Sequence, residues 1–165
     1  MLVFQGVLTI LGPEGEKCVP AQSFFTGPKR TVLKQGEIVT RVLLEAQPPR
    51  TASRYIKLGP RRASDLATVG VAALLTLNEA GIIMRLRVGL GAVAPTPLLI
   101  DGLEQFIGRR FGPDIAVECG KLAVQACRPI TDIRASADYR REMAGILTQR
   151  AVEDCAARIE GGCGK

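Results

Sequence analysis

Thr68-Val-Gly-Val-Ala-Ala-Leu-Leu-Thr-Leu-Asn78-Glu-Ala-Gly81-Ile-Ile-Met84-Arg-Leu-Arg-Val88 decides the fold of this 165-residue chain. It opens with a smooth apolar run of strand length, Asn78-Glu-Ala-Gly81 carries reverse-turn chemistry, and Ile82 onward pairs back. In Met84-Arg-Leu-Arg-Val88 apolar and charged residues alternate strictly. Successive side chains of a strand point to opposite faces, so Met84, Leu86 and Val88 are expected on a core, and Arg85 and Arg87 towards water or a partner. The result is an antiparallel meander with one covered face. The longest apolar run, Val69 to Leu77, is far too short to cross a bilayer, and no membrane span is expected.

The cover is expected to be helical. Thr96-Pro97 reads as an N-cap followed by proline at the first helical position, opening a helix that ends at Gly108. Pro113-Asp114 opens a second, with Ile115, Cys119, Leu122 and Ala126 on one stripe. Ser136 caps a third and longest, with Tyr139, Met143, Ile146 and Leu147 on a common face. The fold class is α+β: a small antiparallel sheet of about three main strands packed with a three-helix bundle.

Upstream, Met1 to Ile10 and Lys17 to Pro20 flank a Gly12-Pro-Glu-Gly15 turn and read as a hairpin. Phe24 to Arg30 is a loop with aromatic anchors, and Glu37 to Leu44 is a strand. Gln47-Pro-Pro-Arg-Thr-Ala-Ser53 breaks the pattern and marks the expected boundary. The chain divides into residues 1–46, a linker 47–53, a domain 54–160 and a frayed tail 161–165.

Composition narrows the function. Hydrophobic residues make up 47% and aromatics 4%, without tryptophan, so a folded chain must build an aliphatic core. The net charge of +6 is scattered over pairs such as Lys29-Arg30, Arg61-Arg62 and Arg109-Arg110 with no interleaved aromatics, which argues against nucleic-acid binding. Histidine is absent, and the five cysteines match none of the close zinc or iron–sulfur spacings, so no metal site is expected. Free thiols without a secretory signal point to the cytoplasm. Neither a P-loop nor Gly-x-Gly-x-x-Gly is present.

Three motifs remain: Tyr55-x-Lys57-Leu-x-x-Arg61-Arg62-x-x-Asp65, Gly89-x-Gly91-Ala-Val-Ala-Pro-Thr-Pro97, and Pro129-Ile-Thr-Asp-Ile-Arg-Ala-Ser-Ala-Asp-Tyr-Arg140. The first sets a lysine, an arginine pair and an acid ahead of a strand, a layout that suits an anionic or redox cofactor lying across a strand edge, and equally a solvated loop. In this order the three motifs resemble the C-terminal half of the flavin-carrying medium subunit of molybdenum hydroxylases of the carbon monoxide dehydrogenase and xanthine dehydrogenase type. By that resemblance, residues 1–46 match the end of the FAD-binding domain and residues 54–160 the CO dehydrogenase flavoprotein C-terminal domain.

The resemblance implies electron transfer: electrons from a molybdopterin large subunit pass through the [2Fe–2S] clusters of a small subunit to FAD and on to an acceptor, with no substrate chemistry or catalytic residue here. Lys57 would lie near the flavin ring, where a cation stabilises charge at the N1/O2 edge. Tyr55 would cover a ring face, Val39 would give an apolar or main-chain contact, and Asp65 would orient Lys57 or the arginines. The family's FAD pyrophosphate is held by glycine-rich loops of a preceding domain, so FAD is expected only with a complementing N-terminal half, such as a separate chain would supply. A second reading stays open, a flavin-free docking module whose Arg85, Arg87 and Arg109-Arg110 meet other subunits.

Overall fold

Nine residues of almost unbroken apolar character make β7 (Val69–Leu77) the centre of the main sheet. The computed structural model describes residues 1–59, 61 and 65–161; Arg62 and Cys163 lie outside them. β6 (Thr51–Leu58) and β8 (Ile83–Gly91) flank β7 antiparallel, and the short β9 (Leu98–Leu99) extends the sheet to the order β6-β7-β8-β9. Val69, Val71, Ala73, Leu75 and Leu77 point to one face together with Leu86, Val88 and Leu90, and there form the main core.

Two helices cover that face, α2 (Pro113–Ala126) and α3 (Ala137–Glu160). Pro113 starts α2 at the position where a missing N–H costs nothing. Ser136 caps α3, its Oγ accepting the Tyr139 N–H at 3.2 Å. The helices meet through glycines: a Cβ on Gly120 would stand 2.9 Å from the Gly145 carbonyl oxygen. The Cys155 thiol, at the sheet-facing side of α3, donates to the Ala73 carbonyl at 3.8 Å. No helix among the described residues is long and apolar enough to cross a membrane.

The N-terminal region builds a smaller sheet of β1 (Val7–Gly12), β2 (Gly15–Pro20) and β5 (Ile38–Leu43), in the order β2-β1-β5. Between them lie a single helical turn, α1 (Ala21–Phe24), and a two-strand ladder of β3 (Phe25–Gly27) and β4 (Arg30–Thr31). Leu8, Ile10, Ala21 and Phe24 form its separate core. The expected hairpin is present, but Leu2–Phe4 forms a 3₁₀ turn that packs on the main sheet.

Three expectations are corrected in detail within the α+β class. The helix expected from Pro97 to Gly108 is absent: Leu98 and Leu99 pair with Leu90 and Gly89 at the open edge of β8, and only a 3₁₀ turn, Leu103–Phe106, follows. Gly102 and Gly108, both at φ 82°, bracket that turn and stop it growing. Met84 does not face the core. A β-bulge opposite Thr76 and Leu77 resets the alternation, burying Ile83 and leaving Met84 56% exposed. β6 begins at Thr51, with the Leu77 N–H bonded to the Arg50 carbonyl at 3.1 Å. On α3, Tyr139 and Ile146 face outward, because the close approach at Gly145 draws the small residues Ala144, Thr148, Ala151 and Cys155 inward instead.

Candidate flavin-facing groove

The face of the main sheet opposite the helices reads in rows. Pairing sets Lys57 beside Gly70 and Gly91, Tyr55 beside Ala72 and Gly89, Ser53 beside Leu74 and Arg87, and Thr51 beside Thr76 and Arg85. The lower rows are closed. The 3₁₀ turn lies over them with Arg87 Nη1 donating to the Val3 carbonyl at 3.4 Å, and the Thr51 and Thr76 hydroxyls bond each other at 2.8 Å. The upper two rows carry almost no side chain between the strands. They leave a shallow groove of about 180 Å³, floored by Gly70, Ala72, Gly89 and Gly91 and rimmed by Tyr55, Val3, Phe25 and Pro97.

The floor has to be small. A Cβ on Gly70 would come 3.0 Å from the Tyr55 hydroxyl, and one on Gly89 would come 3.4 Å from Val3 Cγ1. Glycine inside a strand costs conformational entropy, so its use at these positions marks a place where something approaches closely. Tyr55 stands 62% exposed at the rim. Lys57, exposed in the next row, donates to the main-chain carbonyl of Asp65, while the Asp65 carboxylate accepts the Arg61 N–H at 3.0 Å. Asp65 thus braces the loop with its side chain and steers Lys57 with its backbone, leaving the ammonium charge uncancelled by that carboxylate.

Tyr55, Lys57 and Asp65 are therefore brought to one end of the sheet. Val39 is not with them: it pairs with Ile10 on β1, packs on the small N-terminal core and does not line the groove. Gly70 and Ala72 were missed in the sequence, although a glycine within an apolar strand pattern is the available signal. Arg85 and Arg87, candidates for partner contact, are engaged internally. Arg85 Nη1 meets Glu45 Oε2 at 3.2 Å and Gln47 Oε1 at 3.3 Å, and burial first, then the Arg85 charge, lowers the pKa of the Arg87 guanidinium.

The fold is an α+β layer whose open sheet face carries a glycine-floored groove with a tyrosine at its rim. The chain belongs to the CO dehydrogenase flavoprotein C-terminal domain family, whose pattern it matches over residues 54–155. It is 32% identical over 148 residues to the carbon monoxide dehydrogenase medium chain of Hydrogenophaga pseudoflava, covering 89% of this chain and 51% of that one. It is 28% identical over 162 residues to the xanthine dehydrogenase FAD-binding subunit of Escherichia coli O157:H7, covering 97% of this chain and 55% of that one. Among solved structures, carbon monoxide dehydrogenase from Hydrogenophaga pseudoflava superimposes with a TM-score of 0.89 at 30% identity, over 95% of this chain and 54% of that one. Quinoline 2-oxidoreductase from Pseudomonas putida 86 gives 0.86 at 26% identity, over 96% and 55%. The chain spans about half the length of the relatives it matches.

Proposed function

We propose that this chain is part of the FAD-carrying electron-transfer subunit of a molybdenum hydroxylase, acting with an iron–sulfur small subunit, a molybdopterin large subunit and the N-terminal half of the flavin domain. The observation that carries the reading is the groove: a floor of three glycines and an alanine with a tyrosine at its rim, and a lysine paired in register with the floor residue Gly70, on a domain of a flavoprotein family. FAD, when bound, supplies storage for electrons arriving singly or in pairs. This chain's residues supply the rest. Gly70, Ala72, Gly89 and Gly91 let a planar ring approach the backbone, and Tyr55 shields one side from solvent. Lys57, positioned by the Asp65 carbonyl, offers a positive charge to an edge that becomes negative on reduction. Val39 would reach the cofactor only through the main chain of edge strand β5, since its side chain serves the N-terminal core. The remainder of the cofactor's grip would come from the other half of the domain. Cytoplasmic residence accords with the buried thiols Cys119, Cys127 and Cys155, which stay free.

The test is flavin content and reduction kinetics of the complex purified from its host, with Tyr55→Ala and Lys57→Ala alongside the unaltered chain. Lys57→Ala is expected to lower the flavin midpoint potential and slow reduction by about tenfold, equivalent to roughly 1.4 kcal/mol of lost charge stabilisation. Tyr55→Ala is expected to release flavin or expose it to solvent quenchers. Unchanged content, potential and rate in both variants would remove the groove from the electron path.

A further inference from the structure

The turn that joins α2 to α3 carries an isoleucine for which the fold has no use. Asp132 and Ala135 pair across it, the Asp132 N–H donating to the Ala135 carbonyl at 3.1 Å, and Ile133 projects from the apex fully exposed. Nearby Ile130 is 71% exposed. A single exposed apolar residue is ordinary. What sets this one apart is how firmly its turn is held.

Asp132 Oδ1 accepts from the Arg134 N–H at 2.9 Å and from Arg140 Nη2 at 2.5 Å, while its Oδ2 accepts from Arg134 Nη2 at 2.6 Å. Thr131 Oγ1 takes the Ala137 N–H at 3.0 Å. Arg140 is itself 2% exposed and anchored to the Thr68 and Ala92 carbonyls, so the turn is tied through a buried guanidinium to the end of the main sheet where β7 begins and β8 stops. Beside it runs a cleft of about 250 Å³ between Ala94-Pro95 and Pro129-Ile130, with Arg128 and Arg134 among its walls. Arg128 donates to the carbonyls of Gln125 and Cys127, and no carboxylate among the described residues bonds it. Arg134 and Arg140 share the single charge of Asp132. The surroundings of the apolar apex are therefore net positive.

We infer that this turn is a docking knob for a partner subunit that presents an apolar socket rimmed by aspartate and glutamate: Ile133 enters the socket, and Arg128 and Arg134 meet the rim. The inference rests on the reading of the chain as a component of a multi-subunit flavoprotein, and it assigns one face by which the chain is held there. A knob already fixed in place loses little entropy on binding, which is how a small contact becomes an anchor. The charge of the rim follows from complementarity. A second copy of this chain would set the same arginines against one another.

The test places a photo-crosslinking amino acid at position 133 of the tagged chain, within the complex purified from its host, and measures flavin in the same sample. The expected crosslink joins position 133 to one other subunit, at a peptide where apolar residues are flanked by Asp or Glu. Ile133→Asp is expected to weaken retention of that subunit by about tenfold or more, with the melting temperature of the isolated chain unchanged. A crosslink to a second copy or to lipid, or no crosslink in a complex that carries flavin, would overturn the docking inference while the flavin reading stands. Retention of all subunits by Ile133→Asp would overturn it equally. A chain that brings down neither flavin nor subunits would overturn both.

Discussion

At position 140 the chain buries a guanidinium that its sequence shows only as one of two adjacent arginines on a helix. Arg140 spends Nη1 on the Thr68 and Ala92 carbonyls at 3.0 and 3.2 Å and Nη2 on Asp132, so three segments distant in sequence converge on one side chain. Removing it leaves the buried Thr68 carbonyl without this donor and opens a void at the helix–sheet seam. Arg140→Ala should therefore destabilise the chain by on the order of 3 kcal/mol in urea unfolding, against near neutrality for the adjacent Arg141→Ala. Its partner gives a pH signature. Hydrogen bonds from Arg134, then those from Arg140, hold the Asp132 carboxyl well below its ordinary 3.8. A depressed folded pKa means that the stabilisation is complete above the ordinary value and is lost as pH falls through the folded one. Stability measured from about pH 4 downward should fall less steeply in Asp132→Asn than in the unaltered chain. Equal slopes would show that the carboxylate is not coupled to folding.

The element that most constrains the helical layer is the crossing of α2 and α3, where backbone meets backbone at Gly120 and Gly145. A Cβ at Gly145 would lie 2.8 Å from Val124 Cγ2 and 3.2 Å from the Gly120 carbonyl oxygen. Alanine favours a helix over glycine by about 1 kcal/mol. Here the gain is reversed, because a methyl group forces apart two helices that share the core with β7. Gly120→Ala and Gly145→Ala should each cost about 1–3 kcal/mol, read as a lower urea midpoint with an unchanged slope. A stabilised variant would mean that the helices can separate freely. This crossing also shows what was legible from sequence. The meander, the proline that starts α2 and the Ser136 cap of α3 are local signals, and the sequence carries them plainly. The inward face of α3 is not local: it is chosen by Gly120 on another helix, so the stripe read through Tyr139 and Ile146 does not coincide with the buried one, which includes Arg140. Met84 was misassigned for a related reason, since a bulge is a property of a strand pair and alternation within one strand does not reveal it. Thr96-Pro97 carries the chemistry of a helix start, yet the unpaired edge of β8 claims the residues that follow.

At the scale of the whole molecule the two cores are not equally finished. The main sheet has helices on one face and the groove on the other, but β5 ends the smaller sheet as an open edge whose Ile38 is 63%, Val42 43% and Leu43 48% exposed. Leu11, opposite Ile38 in the register, is 46% exposed as well. An apolar strand with free main-chain donors and acceptors is a template for pairing, and monomeric proteins ordinarily blunt such edges with charge, proline or a covering segment. Within the proposed complex the natural cover is the rest of the flavin domain. In isolation the edge should find its own kind. Sedimentation velocity of the purified chain should therefore show association that grows with concentration, despite the mutual repulsion of copies that each carry a net charge of +6. Ile38→Lys combined with Val42→Lys places charge on the edge without touching either core, and should return the chain to a monomer with its melting temperature within a few degrees of the original. Co-expression with the N-terminal half of a related flavin domain should do the same without mutation. A chain that stays monomeric at high concentration, or a double-lysine variant that associates as readily, would show that β5 is not the surface that seeks a partner.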